Sequence, residues 1–425
     1  MSRLSCSPTI VAAALAAVVG SSSTAPAVGA EPGASQDVLT ATRNHLVTAV
    51  SLGADATQPA HPVAGPTRAP GGAYLGTSAM GGEHQFGSVF RIAGSELQVL
   101  HSFAGHAAGD GERPLAAPLR AADASLYGVT LLGGTANRGV AYSLSPSGVY
   151  RVLHSFSGGP ADGSLPSGPL SQGADGQFYG LTQRGGEHDA GVLYRMTADG
   201  ELHVVHSFGA TGDVSTPAGP LLLEDGVLYG TAAEGGAHRG GGVFRIDAEG
   251  GERVLALLGE NPQDGRLPTF GVTRGGDAAL YLPTPLGGSH ASGSVVRVAE
   301  DGTHRVVHSF GARGDGSMPS GPLLRGRDGT LRGLTVQGGE CNKGTAYRLG
   351  GLGGLGGLGG SDPARVTHSF CGGEGGATNP QGTLLELDRE PLEGTGHGTR
   401  IGAVHWIGLS STGGAHGAGA LFGMQ

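Results

Sequence analysis

HSFGATGDVSTPAGPLLLEDGVLYGTAAEGGAHRGGGVF, residues 206–244, decides the fold of this chain, because its parts return along the sequence with a period of about fifty residues. Its opening, His206-Ser207-Phe208, recurs as His101-Ser102-Phe103, His154-Ser155-Phe156, His308-Ser309-Phe310 and His368-Ser369-Phe370, with degenerate copies at Val50-Ser51-Leu52 and Ala256-Leu257-Leu258. Its double glycine, Gly235-Gly236 with Gly241 five positions on, has six counterparts. These start at Gly81, Gly133, Gly185, Gly287, Gly338 and Gly413. Its third element is an aspartate four residues before a proline: Asp55 and Pro59, Asp110 and Pro114, Asp162 and Pro166, Asp213 and Pro217, Asp264 and Pro268, Asp315 and Pro319. The seventh copy keeps Pro380 but carries Gly376 in place of the aspartate.

Each repeat holds four strand candidates. In the quoted one they are Pro220 to Leu223, Val227 to Ala232, Gly242 to Ile246 and Glu252 to Leu257. Four short strands in a unit of about fifty residues make one propeller blade. Alternating apolar and polar residues fit sheets that bury their faces only against neighbours. The fold expected is therefore all-β, a seven-bladed β-propeller of four-stranded blades. The segment from His45 to Leu52 matches a fourth strand alone, and the last repeat stops after its third strand, Gly419 to Gly423. Pairing the two closes the ring and removes an exposed edge. A β-solenoid is the structural rival, with coils usually shorter than this period.

The motifs resemble the GloVer (Gloeo/Verruco) tandem-repeat family of exported bacterial proteins, whose copies read roughly L-H-S-F, D-G, L-Y-G-T-T, G-G and G-T-V-F. The resemblance spans about residues 45–425 and is best in the quoted stretch. The fifth copy departs, with Leu282-Pro283 where a glycine is expected. It implies export and repetition, and brings no catalytic residues that transfer to this chain.

Composition agrees with many tight turns. Glycine is 85 of 425 residues and charged residues are 14%, without a Gly-X-Y period or the high net charge of a disordered chain. Net charge is −9 and Lys343 is the only lysine, so no basic face for nucleic acid is expected. Arg3, the apolar run Ile10 to Val19 and Val28-Gly29-Ala30 read as a signal peptide over residues 1–30. The apolar run is half of the roughly twenty residues a membrane span needs. A linker over 31–44 and the propeller over 45–425 complete the expected organisation, with the mature chain starting near Glu31 in the periplasm or outside the cell. Cys6 would leave with the signal. Cys341 and Cys371 then remain as an even pair in an oxidising compartment, both at one end of the sixth blade, and a disulfide between them is expected.

Two recurrent polar positions share one face of such a ring. One is the aspartate of the Asp-to-Pro element, at Asp55, Asp110, Asp162, Asp213, Asp264 and Asp315. The other is the histidine two residues after the double glycine: His84, His188, His238, His290 and His416, with Ala136 and Cys341 replacing it in two blades. Aspartate and imidazole are both common ligands, so these loops are candidate ligand-binding sites. The alternative is that each aspartate caps its own turn and each histidine closes a glycine loop, and a residue copied in nearly every blade usually serves the blade. No metal and no cofactor is therefore expected. Within His-Ser-Phe, neighbouring side chains point to opposite faces of a strand, which excludes a nucleophile and base pair.

Among functions, a non-catalytic exported propeller presenting loops to a protein or a surface polysaccharide leads, acting as a monomer. An extracellular hydrolase or lyase at the central channel would break the repeat with unique acids or bases. The irregular last blade offers Asp388, Glu390, His397 and His405. A metal-dependent adhesion module is the third possibility.

Overall fold

The structure is a computed structural model that describes residues 46–247, 251–350, 364–373, 376–387 and 405–424. The segments expected to be signal and linker, residues 351–363 with their repeated Gly-Gly-Leu, and Asp388, Glu390 and His397 lie outside the described residues.

Seven small antiparallel sheets form seven blades of a β-propeller. Blade 4 shows the unit: strands Val214–Glu224, Val227–Gly235, Gly242–Ile246 and Glu252–Leu257 pair in chain order. In the second strand Gly230 sits opposite Phe244 of the third, and a Cβ on Gly230 would come within 2.3 Å of the Phe244 ring. The Leu-Tyr-Gly motif thus needs its glycine because an aromatic side chain lies flat over that backbone. The same pairing joins Gly76 to Phe90, Gly128 to Tyr142, Gly180 to Tyr194, Gly333 to Tyr347 and Gly408 to Phe422. In blade 5 both partners change together, Leu282 facing Val296. The departure seen in the sequence is a volume exchange across one strand pair.

The first strand of each blade starts earlier than the sequence reading placed it. Val214 pairs with Gly235 and Pro217 with Ala232, so the Asp-to-Pro element is part of the innermost strand. Proline is tolerated there because an edge strand leaves alternate N–H groups without a ladder partner. The residue before each proline has positive φ: His61, Arg113, Leu165, Thr216, Leu267, Met318 and Asn379, all between 50° and 60°. Each turns its N–H onto a hairpin carbonyl of the preceding blade, as in Arg113 to Phe86 at 2.9 Å and Thr216 to Ala190 at 2.8 Å.

That register corrects the first blade. Gly82 N–H donates to the Gln58 carbonyl just as Gly134 N–H donates to that of Asp110. Gln58 and Pro62 therefore hold the repeat positions, and Asp55 lies three residues upstream in an exposed turn, bonded to Thr57.

Seven apolar cores fill the seven interfaces between blades. Phe103, Phe156, Phe208, Phe310 and Phe370 are fully buried in them, as are Leu52 and Leu258 in the degenerate copies. Each such side chain contributes about 1.5–3 kcal/mol of burial. The last core packs Tyr74, Phe90 and Ile92 of blade 1 against Ala49, Val50, Ile407 and Leu421 of blade 7. Leu46–Ser51 completes blade 7 by pairing antiparallel with Ala420–Met424. The expected closure by the N-terminal strand is present.

Candidate functional site

The loop leaving each fourth strand and the hairpin between the second and third strands lie at one end of the ring, and their chemistry starts from His-Ser-Phe. The serine points away from its neighbours and caps the hairpin: Ser155, Ser309 and Ser51 accept backbone N–H groups from Thr135, Ser289 and Ala415 at 2.8, 3.1 and 2.9 Å. The histidine lies on the phenylalanine side and packs edge-on against that ring, with centroids 4.9 Å apart for His101 and Phe103 and 4.6 Å for His308 and Phe310.

The repeat aspartates turn inward. Asp110 accepts from Ala104 and Gly111 N–H, Asp162 from Ser157 and Gly163, and Asp264 from Gly259 and Gly265. Each also meets a histidine Nε2: His101 to Asp110 at 3.1 Å, His154 to Asp162 at 3.1 Å, and His308 to Asp315 at 2.9 Å. In blade 5, Ala256 leaves the histidine place empty and His304, from the next outer strand, reaches Asp264 at 3.2 Å instead. Burial pushes the carboxyls of Asp110, Asp162 and Asp264 up. Their histidine and backbone bonds outweigh this and hold all three below the usual carboxylate value. Where Gly376 replaces aspartate, His368 Nε2 is buried, and burial holds that imidazole below its ordinary pKa.

One further position faces these pairs, the first residue of the next blade's fourth strand, and it varies. Tyr150 donates to Asp110 at 2.5 Å and stacks on His101 at 3.6 Å. Leu202 and Ala364 are apolar counterparts. Between blades 3 and 4 the position is Glu252, whose Oε2 lies 3.1 Å from His206 Nε2, while Asp213 Oδ2 stands 3.6 Å from the same nitrogen. Burial works against the His206 cation, but the two carboxylates carry its pKa up to about 9. Glu252 is raised by burial and by Asp213.

The hairpin histidines are elsewhere. His84, His188, His238, His290 and His416 are all exposed at the hairpin tips. Among the described hydrogen bonds and ion pairs, none joins them to a repeat aspartate. The residue after this position adopts positive φ in all seven hairpins, and three of these residues, Asp189 after His188, Asn137 after Ala136 and Asn342 after Cys341, fold back to accept the N–H of the first glycine. Cys341 takes the histidine place in blade 6 and is bridged to Cys371, Cα atoms 5.1 Å apart, as the sequence led one to expect. His405 is used through its backbone, donating to the Met424 carbonyl at 2.9 Å.

At the opposite end of the ring, the turns of blades 3 and 4 frame a cavity of about 850 Å³ lined by Asp175, Tyr179, Arg195, His203, Asp225 and Asp247. The Tyr179 hydroxyl donates to Asp175 at 3.0 Å. Sequence reasoning offered none of the charged residues of this cavity as a site, and it placed Glu252 only as the start of a strand. Their side chains converge from different repeats, which motif spacing does not display.

No helix among the described residues is long and apolar enough to cross a membrane. No curated protein matches the chain. Among solved structures it is similar to virginiamycin B lyase from Staphylococcus aureus, at 11% identity and TM-score 0.55, covering 90% of this chain and 99% of that one. A streptogramin B lyase gives 12% identity and TM-score 0.55, with 90% and 98% covered. The extracellular domain of a protein described as a one-component system of B. thetaiotaomicron gives 10% and 0.55, covering 89% of this chain and 40% of that one. At such identities the likeness is one of fold. The Gloeobacter/Verrucomicrobia repeat model matches residues 61–281, more than half of the sequence and including the His-Ser-Phe, Asp-to-Pro and double-glycine elements described above, and the chain belongs to that repeat family.

Proposed function

We propose that this protein is an exported, non-catalytic binding propeller whose loop face takes a surface polysaccharide or a protein. The carrying observation is the set of five histidines, His84, His188, His238, His290 and His416, exposed at the same turn position in five of the seven hairpins on one face. Each hairpin is braced by its own backbone bonds, so the imidazoles are presented on a rigid frame. Repeated weak contacts to a repeating polymer then add through effective concentration, without a deep pocket. Residues 1–30 act as the signal for export, residues 31–44 as a linker, and the ring works as a monomer in the periplasm or outside the cell. The disulfide supports an oxidising compartment.

Co-sedimentation with isolated cell-envelope polysaccharide tests this reading, comparing the mature protein with a variant in which the five histidines are serines. The expected result is retention of the wild type and loss of at least about tenfold in apparent affinity for the variant, with unchanged melting. Equal retention of both refutes the loop-face reading. Release of shortened polymer would replace it with the hydrolase or lyase reading.

A further inference from the structure

Between blades 3 and 4, His206, Asp213 and Glu252 are, among the described residues, the one group of three whose ligand atoms lie within 4.8 Å of one another. Its neighbours around the ring show what is unusual. In four other blades the repeat aspartate and a histidine Nε2 form a direct hydrogen bond of 2.9–3.2 Å. Here the same two atoms have parted to 3.6 Å, and Glu252 Oε2 stands 3.1 Å from the nitrogen. His206 Nε2 is buried and held by these two ion-pair contacts, while Glu252 Oε1 is buried with no hydrogen-bond partner. A polar atom shut away from water without a partner costs about 1–3 kcal/mol, so the orphaned Glu252 Oε1 calls for a missing partner.

We propose that this triad is a binding site for one divalent transition-metal ion of the zinc class. With zinc to nitrogen and oxygen bonds of about 2.0–2.2 Å, tetrahedral ligands stand roughly 3.3–3.5 Å from one another. The 3.1 and 3.6 Å separations bracket that spacing. One imidazole and two carboxylates are a donor set that zinc accepts. Asp213 is held for the task by backbone N–H groups, Gly209 onto Oδ2 at 2.8 Å and Val214 onto Oδ1 at 2.5 Å, and His206 is held by its edge contact with Phe208, centroids 4.7 Å apart. Such outer contacts fix ligand orientation. The side chains of His206 and Glu252 remain 19% and 15% exposed, which leaves a fourth position open to water or to a donor from a ligand.

The test uses untagged, full-length mature protein stripped with chelator. Titration calorimetry with Zn²⁺ is expected to give one ion per chain, together with a rise in melting temperature. Glu252→Leu recreates the arrangement of blade 3, where Leu202 faces an ordinary His154 and Asp162 pair, and so is expected to fold. It should weaken binding by more than the roughly 10–100-fold that losing an outer-shell partner costs. Glu252→Gln gives a second, smaller change should the leucine variant misfold. Zinc-edge X-ray absorption should report nitrogen and oxygen donors without sulfur. The variant lacking the five hairpin histidines should keep the tight site, which separates this proposal from the loop-face reading. Absence of stoichiometric binding, binding of equal strength in both Glu252 variants, or loss of the tight site with the hairpin histidines would each overturn it.

Discussion

The backbone N–H of His61, in the first blade, donates to the carbonyl of Ala418, in the last, at 2.8 Å. It is one of seven such bonds, each made by a residue at positive φ just before a proline and each reaching back to the hairpin of the preceding blade. Holding a non-glycine residue there costs about 1–2 kcal/mol, which the cross-blade bond and the packing behind it offset. The bond from His61 makes the series circular.

Removing the strand that completes blade 7 should open this circle. Deleting residues 31–52 takes Ala49, Val50 and Leu52 out of the core shared by blades 7 and 1 and exposes the edge of Ala420–Met424. The truncated protein is expected to melt well below the full-length chain and to aggregate, read by thermal unfolding with light scattering. Leu52→Ala alone should cost about 2–5 kcal/mol in denaturant unfolding. Equal melting of both proteins would show that the strand does not close the ring.

The glycine and aromatic pairing makes a reciprocal prediction. Gly230→Leu in blade 4 drives a side chain into Phe244 and should destabilise strongly, whereas adding Phe244→Val copies the Leu282 and Val296 pair of blade 5. A double-mutant cycle is expected to give a favourable coupling toward the upper end of about 0.5–3 kcal/mol. Additive losses would mean that the two blades accommodate their pairs by different backbone geometry.

Much of this architecture was readable from the sequence because each blade repeats the same contacts, within itself and to its neighbour: Gly230 under Phe244, Ser155 on its hairpin, Phe208 in the core shared with the next blade. What escaped were features fixed by backbone position. Asp55 and Pro59 matched the motif by residue type, yet Gln58 occupies the place, since the bond that defines it uses the main-chain carbonyl. The inner strand begins earlier than the expected Pro220 because part of the Asp-to-Pro element itself pairs, an innermost edge having room for its proline. Glu252 escaped because it meets His206 and Asp213 only after two blades stack. Setting Leu202, Glu252 and His304 side by side as the first residues of successive fourth strands would have exposed it.

The blade 5 pair of Asp264 and His304 should leave a signature in pH. Asp264 is depressed, so its contribution is present above the unfolded value of about 3.9 and is lost as pH falls through the lower folded value. His304 is raised, first by its bond to Asp264, so its contribution is full below about 6.5 and is lost as pH rises through the higher folded value. The stability gap between wild type and Asp264→Asn is therefore expected to be widest from about pH 4 to 6.5, at roughly 1–3 kcal/mol, and to narrow above it. Urea unfolding across that range measures it. A gap independent of pH would assign the aspartate's role to its backbone bonds alone.

Replacing Cys341 and Cys371 by serine should lower stability by up to about 3.6 kcal/mol, the chain-entropy value for a loop closed over a separation of 30 residues. Denaturant unfolding with and without reductant should show the same difference. Thiol counting on denatured, unreduced protein from an oxidising compartment should find none, and two thiols per chain would refute the bridge.

The same cystine straddles residues 351–363, the longest departure from the repeat between its two ends. A protease outside the cell that cuts anywhere in that interval would produce two polypeptides and still leave one molecule, tied by sulfur and clasped around the circle by neighbouring blades. For such a protein a nick is a change that reducing electrophoresis sees and non-reducing electrophoresis does not.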